Sequence, residues 1–272
     1  MAVIEMKKKK KKRKRMRPLN DYVDSKSSTS LPDELPLVHT SRCEWAAGLG
    51  ATPELQPRRC SVYDEDLLYL FYGRPAYRIK DRGFHEIAYC PICFILKLNR
   101  HSLGLKRVLP IDSGGVTDGR FTPHIEPAQR DSLELDTSIE SAKKLVEVIY
   151  KDNRAYLRGL CQPLAEFADA SDDLVKQYVN MLHDAEVSKA DDRRSAIEFQ
   201  ATSRVSLKDD LQAVVLPEAL LDEYGLRHTI LSEWNALPIT YPTFSATSPA
   251  EYTGVIRDRV MAFYAEYHFL RE

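Results

Sequence analysis

The chain has 272 residues, 43% hydrophobic and 29% charged, with 11 Gly, 15 Pro and 5 Cys, which is length enough to bury a core as one large domain or two small ones. No apolar run approaches the roughly 20 residues that span a bilayer, and the early lysines have no apolar segment behind them of the kind a secretory signal carries. The low, odd cysteine count argues against a disulfide framework, so reduced thiols, a cytoplasmic setting and no membrane partner are expected.

The net charge of −1 conceals an asymmetry. Residues 1–17 hold ten Lys/Arg and one acid, Glu5, a net +9 that leaves −10 on the rest of the chain. Residues 1–34 read as a basic disordered leader, because like charges repel and the polar, Ser-rich stretch behind them has little to bury. Such a leader suits a clamp on nucleic acid or another anionic surface, or no partner beyond water. Residues 35–272 read as one domain.

Within it, 35–40 (LPLVHT) is a short strand. Ser41 and Glu44 form a capping box, which predicts a short helix from Ser41 that holds Trp45 and ends at Gly48 and Gly50. Residues 67–72 (LLYLFY) have the continuous apolar pattern of a strand buried on both faces, broken at once by Gly73-Arg74-Pro75. Residues 87–98 make a further strand, with Pro91 marking an edge or bulge. Residues 106–111 make another, and Asp112-Ser113-Gly114-Gly115 reads as the turn that ends it. Helices follow: one capped by Thr137 and Glu140 with a 3.6-residue apolar period, another over 174–182 capped near Ser171. Residues 194–200 (RSAIEFQ) alternate as a strand, with Ile197 and Phe199 on one face and Ala196, Glu198 and Gln200 on the other. Residues 212–216 form a strand, Pro217 opens a short helix ended by Gly225, and a long helix starts at Tyr252. This order predicts an α+β fold with a mixed sheet and packed helices.

Cys90-Pro91-Ile92-Cys93 is the one metal-like spacing. Zinc takes about four ligands, and no second pair accompanies it, only lone Cys43, Cys60, His85, His101 and Cys161. The two thiols therefore read as core, and no metal ligand is assigned. GxGxxG, GxxxxGK[ST], GxSxG and HExxH are all absent, which disfavours a dinucleotide-binding dehydrogenase, a P-loop NTPase, an α/β-hydrolase and a common zinc protease.

Three segments combine better than any stands alone. Val38-His39-Thr40-Ser41 ends the first strand. Phe71-Tyr72-Gly73-Arg74-Pro75-Ala76-Tyr77-Arg78 packs tyrosines and arginines into a broken strand end. Arg194-Ser195-Ala196-Ile197-Glu198-Phe199 sets a carboxylate inside a strand. Their order resembles the ADP-ribosyltransferase fold, with the DarT-type nucleic-acid ADP-ribosyltransferases most similar and the poly(ADP-ribose) polymerases, with their His-Tyr-Glu pattern, more distant. The family's His-x-Thr segment departs here in that Thr40 follows His39 directly, and one extra residue precedes Glu198. The central and C-terminal helices are unmatched.

The resemblance implies an ADP-ribosyltransferase-like sheet and a glycosyl transfer that uses NAD as substrate. Cleavage of the nicotinamide glycosidic bond passes through an oxocarbenium-like state, as in glycoside hydrolysis. The resemblance gives Glu198 the catalytic role of stabilising that charge and holding a ribose hydroxyl. His39 and Thr40 would hold the adenosine side of NAD, Tyr72 or Tyr77 would stack on nicotinamide, and Arg74 or Arg78 would take the diphosphate. The acceptor stays open between nucleic acid, which the leader favours, and protein. Likeness to toxins of this type also implies an antitoxin partner. Two other function classes remain: a non-catalytic interaction or regulatory protein on a degenerate version of the fold, and a zinc-supported nucleic-acid-binding module.

Overall fold

Among the described residues ten strands carry the architecture: β1 (Leu37–Arg42), β2 (Glu54–Leu55), β3 (Arg58–Cys60), β4 (Glu65–Tyr72), β5 (Pro91–Leu96), β6 (Leu105–Leu109), β7 (Glu198–Ala201), β8 (Val205–Ser206), β9 (Leu211–Pro217) and β10 (Leu237–Tyr241). The computed structural model describes residues 17–44, 49, 52–76, 86–97, 103–188, 193–223, 225–244 and 247–270. Eight of the strands form one sheet, in the order β10-β9-β5-β1-β4-β7-β6 with β3 added on β4; β2 and β8 pair separately. Among the described strands only β9 and β10 run parallel. The helices among the described residues are α1 (Pro18–Lys26), α2 (Ser113–Thr117), α3 (Ile139–Leu145), α4 (Asn153–Arg158), α5 (Asp173–His183), α6 (Leu207–Asp210), α7 (Glu218–Glu223), α8 (Leu226–His228) and α9 (Tyr252–Glu266). The protein is thus a mixed α/β fold, and none of its described helices is long and apolar enough to cross a membrane.

The apolar runs find their partners in the middle of the sheet. All six residues of β5 are buried, with β1 on one side and β9 on the other and α9 packed against the strand. Pro91 opens β5, where a missing amide is tolerated. At the other end of β4, Gly73 has φ +61°, and a Cβ there would meet Leu35 Cδ1 at 2.5 Å, so the chain can leave the strand only through a glycine.

Several local expectations change. Part of the leader is ordered: α1 packs against α3 and α5, with Leu19, Asn20 and Val23 buried. Asn20 Oδ1 accepts from the Asp136 amide at 2.7 Å, and Arg17 donates to Leu135 O at 3.0 Å. Two apolar side chains and one amide were enough, because helices of the domain offered them a surface; residues 1–16 lie outside the described residues. The helix expected from Ser41 gives way to strand. Ser41 and Arg42 pair with Ile92 and Pro91, so the ladder outcompetes a local cap; Trp45, Gly48 and Gly50 lie outside the described residues. The turn expected at Asp112 is instead the capped start of α2, where Asp112 Oδ1 accepts from Gly115 N at 2.6 Å. Ser138, not Thr137, caps α3, and Asp172 caps α5. Strand β7 begins only at Glu198, after a short turn over Arg193–Ser195.

The ordering of α1 has a measurable consequence. A chain starting at residue 27 should melt on the order of 10 °C below one starting at residue 17. Burial of Leu19 and Val23 is worth roughly 1.5–3 kcal/mol each. Equal melting temperatures would show that α1 adds nothing to the packing.

Candidate functional site

Strand β1 pairs with β4 over only two positions, Leu37 with Tyr72 and Val38 with Phe71, yet it pairs with β5 along all six of its residues. Beyond Val38 the two strands part, and the N-terminal end of β4 pairs with β3 instead. A cleft of about 970 Å³ opens there, near the upper end of the ~300–1,000 Å³ usual for small-molecule sites. His39 and Thr40 line it from β1, Tyr69 and Phe71 from β4, and Glu198 from β7.

His39 spans the split. Its Nδ1 lies 2.8 Å from Tyr69 O, where the backbone ladder between the strands has stopped. A carbonyl only accepts, so Nδ1 carries the proton and Nε2 is left as an acceptor. Burial holds the imidazole below its ordinary pKa and keeps it neutral.

Glu198 is 1% exposed. Its Oε1 accepts from Ser113 Oγ at 2.7 Å and from Gln200 Nε2 at 2.7 Å, and its Oε2 accepts from the Ser113 amide at 3.1 Å. Burial, reinforced by the nearby Asp112 carboxylate, pushes its pKa up to about 8, against the pull of those donors. Asp112 also lines the cleft and pairs with Arg193 at 3.4 Å. Arg42 and Arg58 add positive charge to the wall, Arg42 being paired with Glu44 at 2.7 Å.

Two of the expected contacts are absent from the cleft. Tyr72 is fully buried on the other face of β4, against Tyr156 and Phe199. Its hydroxyl accepts from the Leu35 amide at 3.1 Å. Strand alternation is the cause: Phe71 sits opposite Glu198 and shares its face, so Tyr72 must point the other way. Arg74 is 2% exposed and donates to Tyr156 O at 2.9 Å, packed so closely on Gly159 that a Cβ there would lie 2.9 Å from its Nη1. It is a core residue, not a diphosphate clamp. Tyr77 and Arg78 lie outside the described residues. Among those described, therefore, the cleft brings His39, Thr40 and Glu198 together and leaves Tyr72 and Arg74 behind the sheet.

Tyr69, Phe71, Asp112 and Arg193 were missed. The two-residue period of 67–72 was the available signal for the aromatic pair, since Tyr69 and Phe71 share one face and Leu70 and Tyr72 the other. Cys90 and Cys93 are buried, which pushes their thiols up to about 11 and about 12. Among the described residues no group of three or more His, Cys, Asp and Glu side chains is arranged to hold a metal ion; His85 and His101 lie outside them.

The two cleft titrations act on stability in opposite senses. Glu198 is raised from its ordinary 4.5 to about 8, so its contribution is full below about 4.5 and is lost as pH rises toward about 8. His39 is depressed, so its contribution is present above about 6.5 and is lost on acidification. Urea unfolding across pH 5–9 should show stability declining from pH 5 to about 8 and levelling above it, and Glu198→Gln should flatten that decline. A slope between pH 5 and about 8 unchanged in the variant would place the titration elsewhere.

No family model matches this chain, and neither a curated protein nor a solved structure is detectably similar to it.

Proposed function

We propose that the protein is an NAD-dependent ADP-ribosyltransferase acting on a macromolecular acceptor. The observation that carries the reading is the opening between β1 and β4, with a neutral His39 and a buried Glu198 on its walls although about 160 residues separate them. The cleft has room for a dinucleotide. His39 Nε2 is an acceptor suited to a ribose hydroxyl, and Tyr69 and Phe71 offer ring faces for stacking. Arg42 and Arg58 suit a diphosphate, the role that the resemblance gave to Arg74.

In this reading the glycosidic C–N bond breaks with its electron pair passing to nicotinamide, which leaves as a neutral base. Positive charge develops on the ribose carbon and ring oxygen, and ionised Glu198, itself buried, stabilises it. An acceptor nitrogen or oxygen then bonds to that carbon and gives up its proton to the Glu198 carboxylate as base.

The test is nicotinamide release from NAD by the full chain, alone and with nucleic acid or protein added. Release that requires Glu198 supports the reading. The absence of release under every acceptor condition would favour a binding or regulatory protein on the same scaffold.

A further inference from the structure

Gln200 and Arg107 form a chain of donors behind Glu198. Gln200 lies two residues along β7 on the same face, fully buried, and Arg107 sits directly across from it on β6. The Gln200 amide touches both neighbours: Nε2 donates to Glu198 Oε1 at 2.7 Å, and Oε1 accepts from Arg107 Nη1 at 3.1 Å. A guanidinium can only donate. With Arg107 on one side, the amide oxygen must face Arg107, and the NH2 group must then face the carboxylate. A flipped amide would set two donors together on one side and two oxygens on the other.

Arg107 is itself held in place. It pairs with Glu65 at 2.7 Å, and its guanidinium lies over the Tyr63 ring at 4.2 Å, with Arg130 over the same ring at 4.4 Å. Lys106 also pairs with Glu65. The chain therefore runs from an ion pair outside the cleft to one carboxylate oxygen inside it. Three donors occupy three of about four acceptor positions on Glu198, which leaves acceptor capacity for the cleft.

We infer that Gln200, held in one amide orientation by Arg107, is a positioning residue that aims the Glu198 carboxylate into the cleft and supports its ionised form. The link to catalysis rests on the transferase reading above, whereas the link to Glu198 ionisation does not. Other titratable and charged groups also face this carboxylate: Asp112, with its partner Arg193, from α2; Tyr69 from β4; and Tyr63, flanked by Arg107 and Arg130. The Gln200 amide also donates to Ser113 Oγ at 3.3 Å and sits beside Tyr63, while Arg107 is the charged group bonded to its oxygen.

The experiment is a 13C NMR titration of the side-chain carboxyls of the full chain, with Glu198 assigned by its loss in Glu198→Gln, run beside NAD cleavage. Gln200→Leu keeps the volume and removes the donor. It should move the Glu198 midpoint up by about one pH unit, the scale of losing a hydrogen bond to a charged group. Arg107→Met should move it the same way by less, and Arg107→Lys, which restores a donor and the charge, should return it toward wild type. Turnover in Gln200→Leu should fall about tenfold near pH 7.5, with KM for NAD unchanged, and recover at higher pH as the carboxylate ionises. An unmoved midpoint in Gln200→Leu overturns the inference, as does a loss of turnover equal at every pH. Absence of NAD cleavage in the wild type would instead remove the transferase reading, and the NMR midpoints would still decide the role of Gln200. Should Gln200→Leu not fold, the Met and Lys pair at Arg107 decides it, identical midpoints in the two counting against the inference.

Discussion

Glu198→Gln is expected to lower NAD cleavage by about 100-fold or more, the scale of losing one preorganised electrostatic group, while NAD affinity stays within about twofold of wild type. In the proposed mechanism the carboxylate acts on charge that appears only in the transition state, so its loss falls on turnover. Two hydrogen bonds to Oε1 survive in the variant, whereas an amide NH2 at the Oε2 position would meet the Ser113 amide donor. A small loss of melting temperature is therefore expected alongside the loss of activity. The pH profile separates the two effects. Wild-type cleavage should rise as pH approaches about 8, where Glu198 ionises, and the variant should lack that limb. Turnover equal to wild type would take Glu198 out of the mechanism.

Arg74→Ala is expected to act on the fold and not on the substrate. The guanidinium is 2% exposed, donates to Tyr156 O, and packs against Gly159. Truncation leaves a cavity and removes one of the two donors to Tyr156 O, the Gly159 amide at 2.9 Å being the other, a loss of roughly 3–5 kcal/mol on the scale of other buried large-to-small changes. Melting should fall on the order of 10 °C. Below that transition, KM for NAD should match wild type. A diphosphate clamp predicts the reverse, a large rise in KM with melting unchanged, and that result would contradict the buried position. Arg42→Ala is the complementary probe, since Arg42 lines the cleft.

The contrast between Glu198 and Arg74 shows how much of the site was legible. An acid flanked by Ile197 and Phe199 carries its own face assignment, because alternation puts those two apolar side chains and Glu198 on opposite sides of the strand. No comparable signal sits in Phe71-Tyr72-Gly73-Arg74. Both aromatics are large, both suit a core or a cleft, and only pairing with β7 decides which one enters. An arginine after a strand end reads as exposed by residue type, and its burial depended on Tyr156 and Gly159, more than 80 residues on. Strand β10 escaped notice because its half-exposed LPITY lacks both a long apolar run and a strict alternation.

By itself, the sequence determined the mixture of strands and helices, the centres of the main strands, the amphipathic helices and the His39-to-Glu198 order. These follow from apolar period and from capping and breaking residues, which act over a few positions. Tertiary structure alone decided that β1 leaves β4 after two pairs, that Asp112 starts a helix whose first residue binds Glu198, and that residues 18–26 fold onto α3 and α5. Each of these depends on partners brought close from far along the chain. A strand edge, a cap or a small apolar face changes its best conformation when another segment supplies the hydrogen bonds or the surface it lacks.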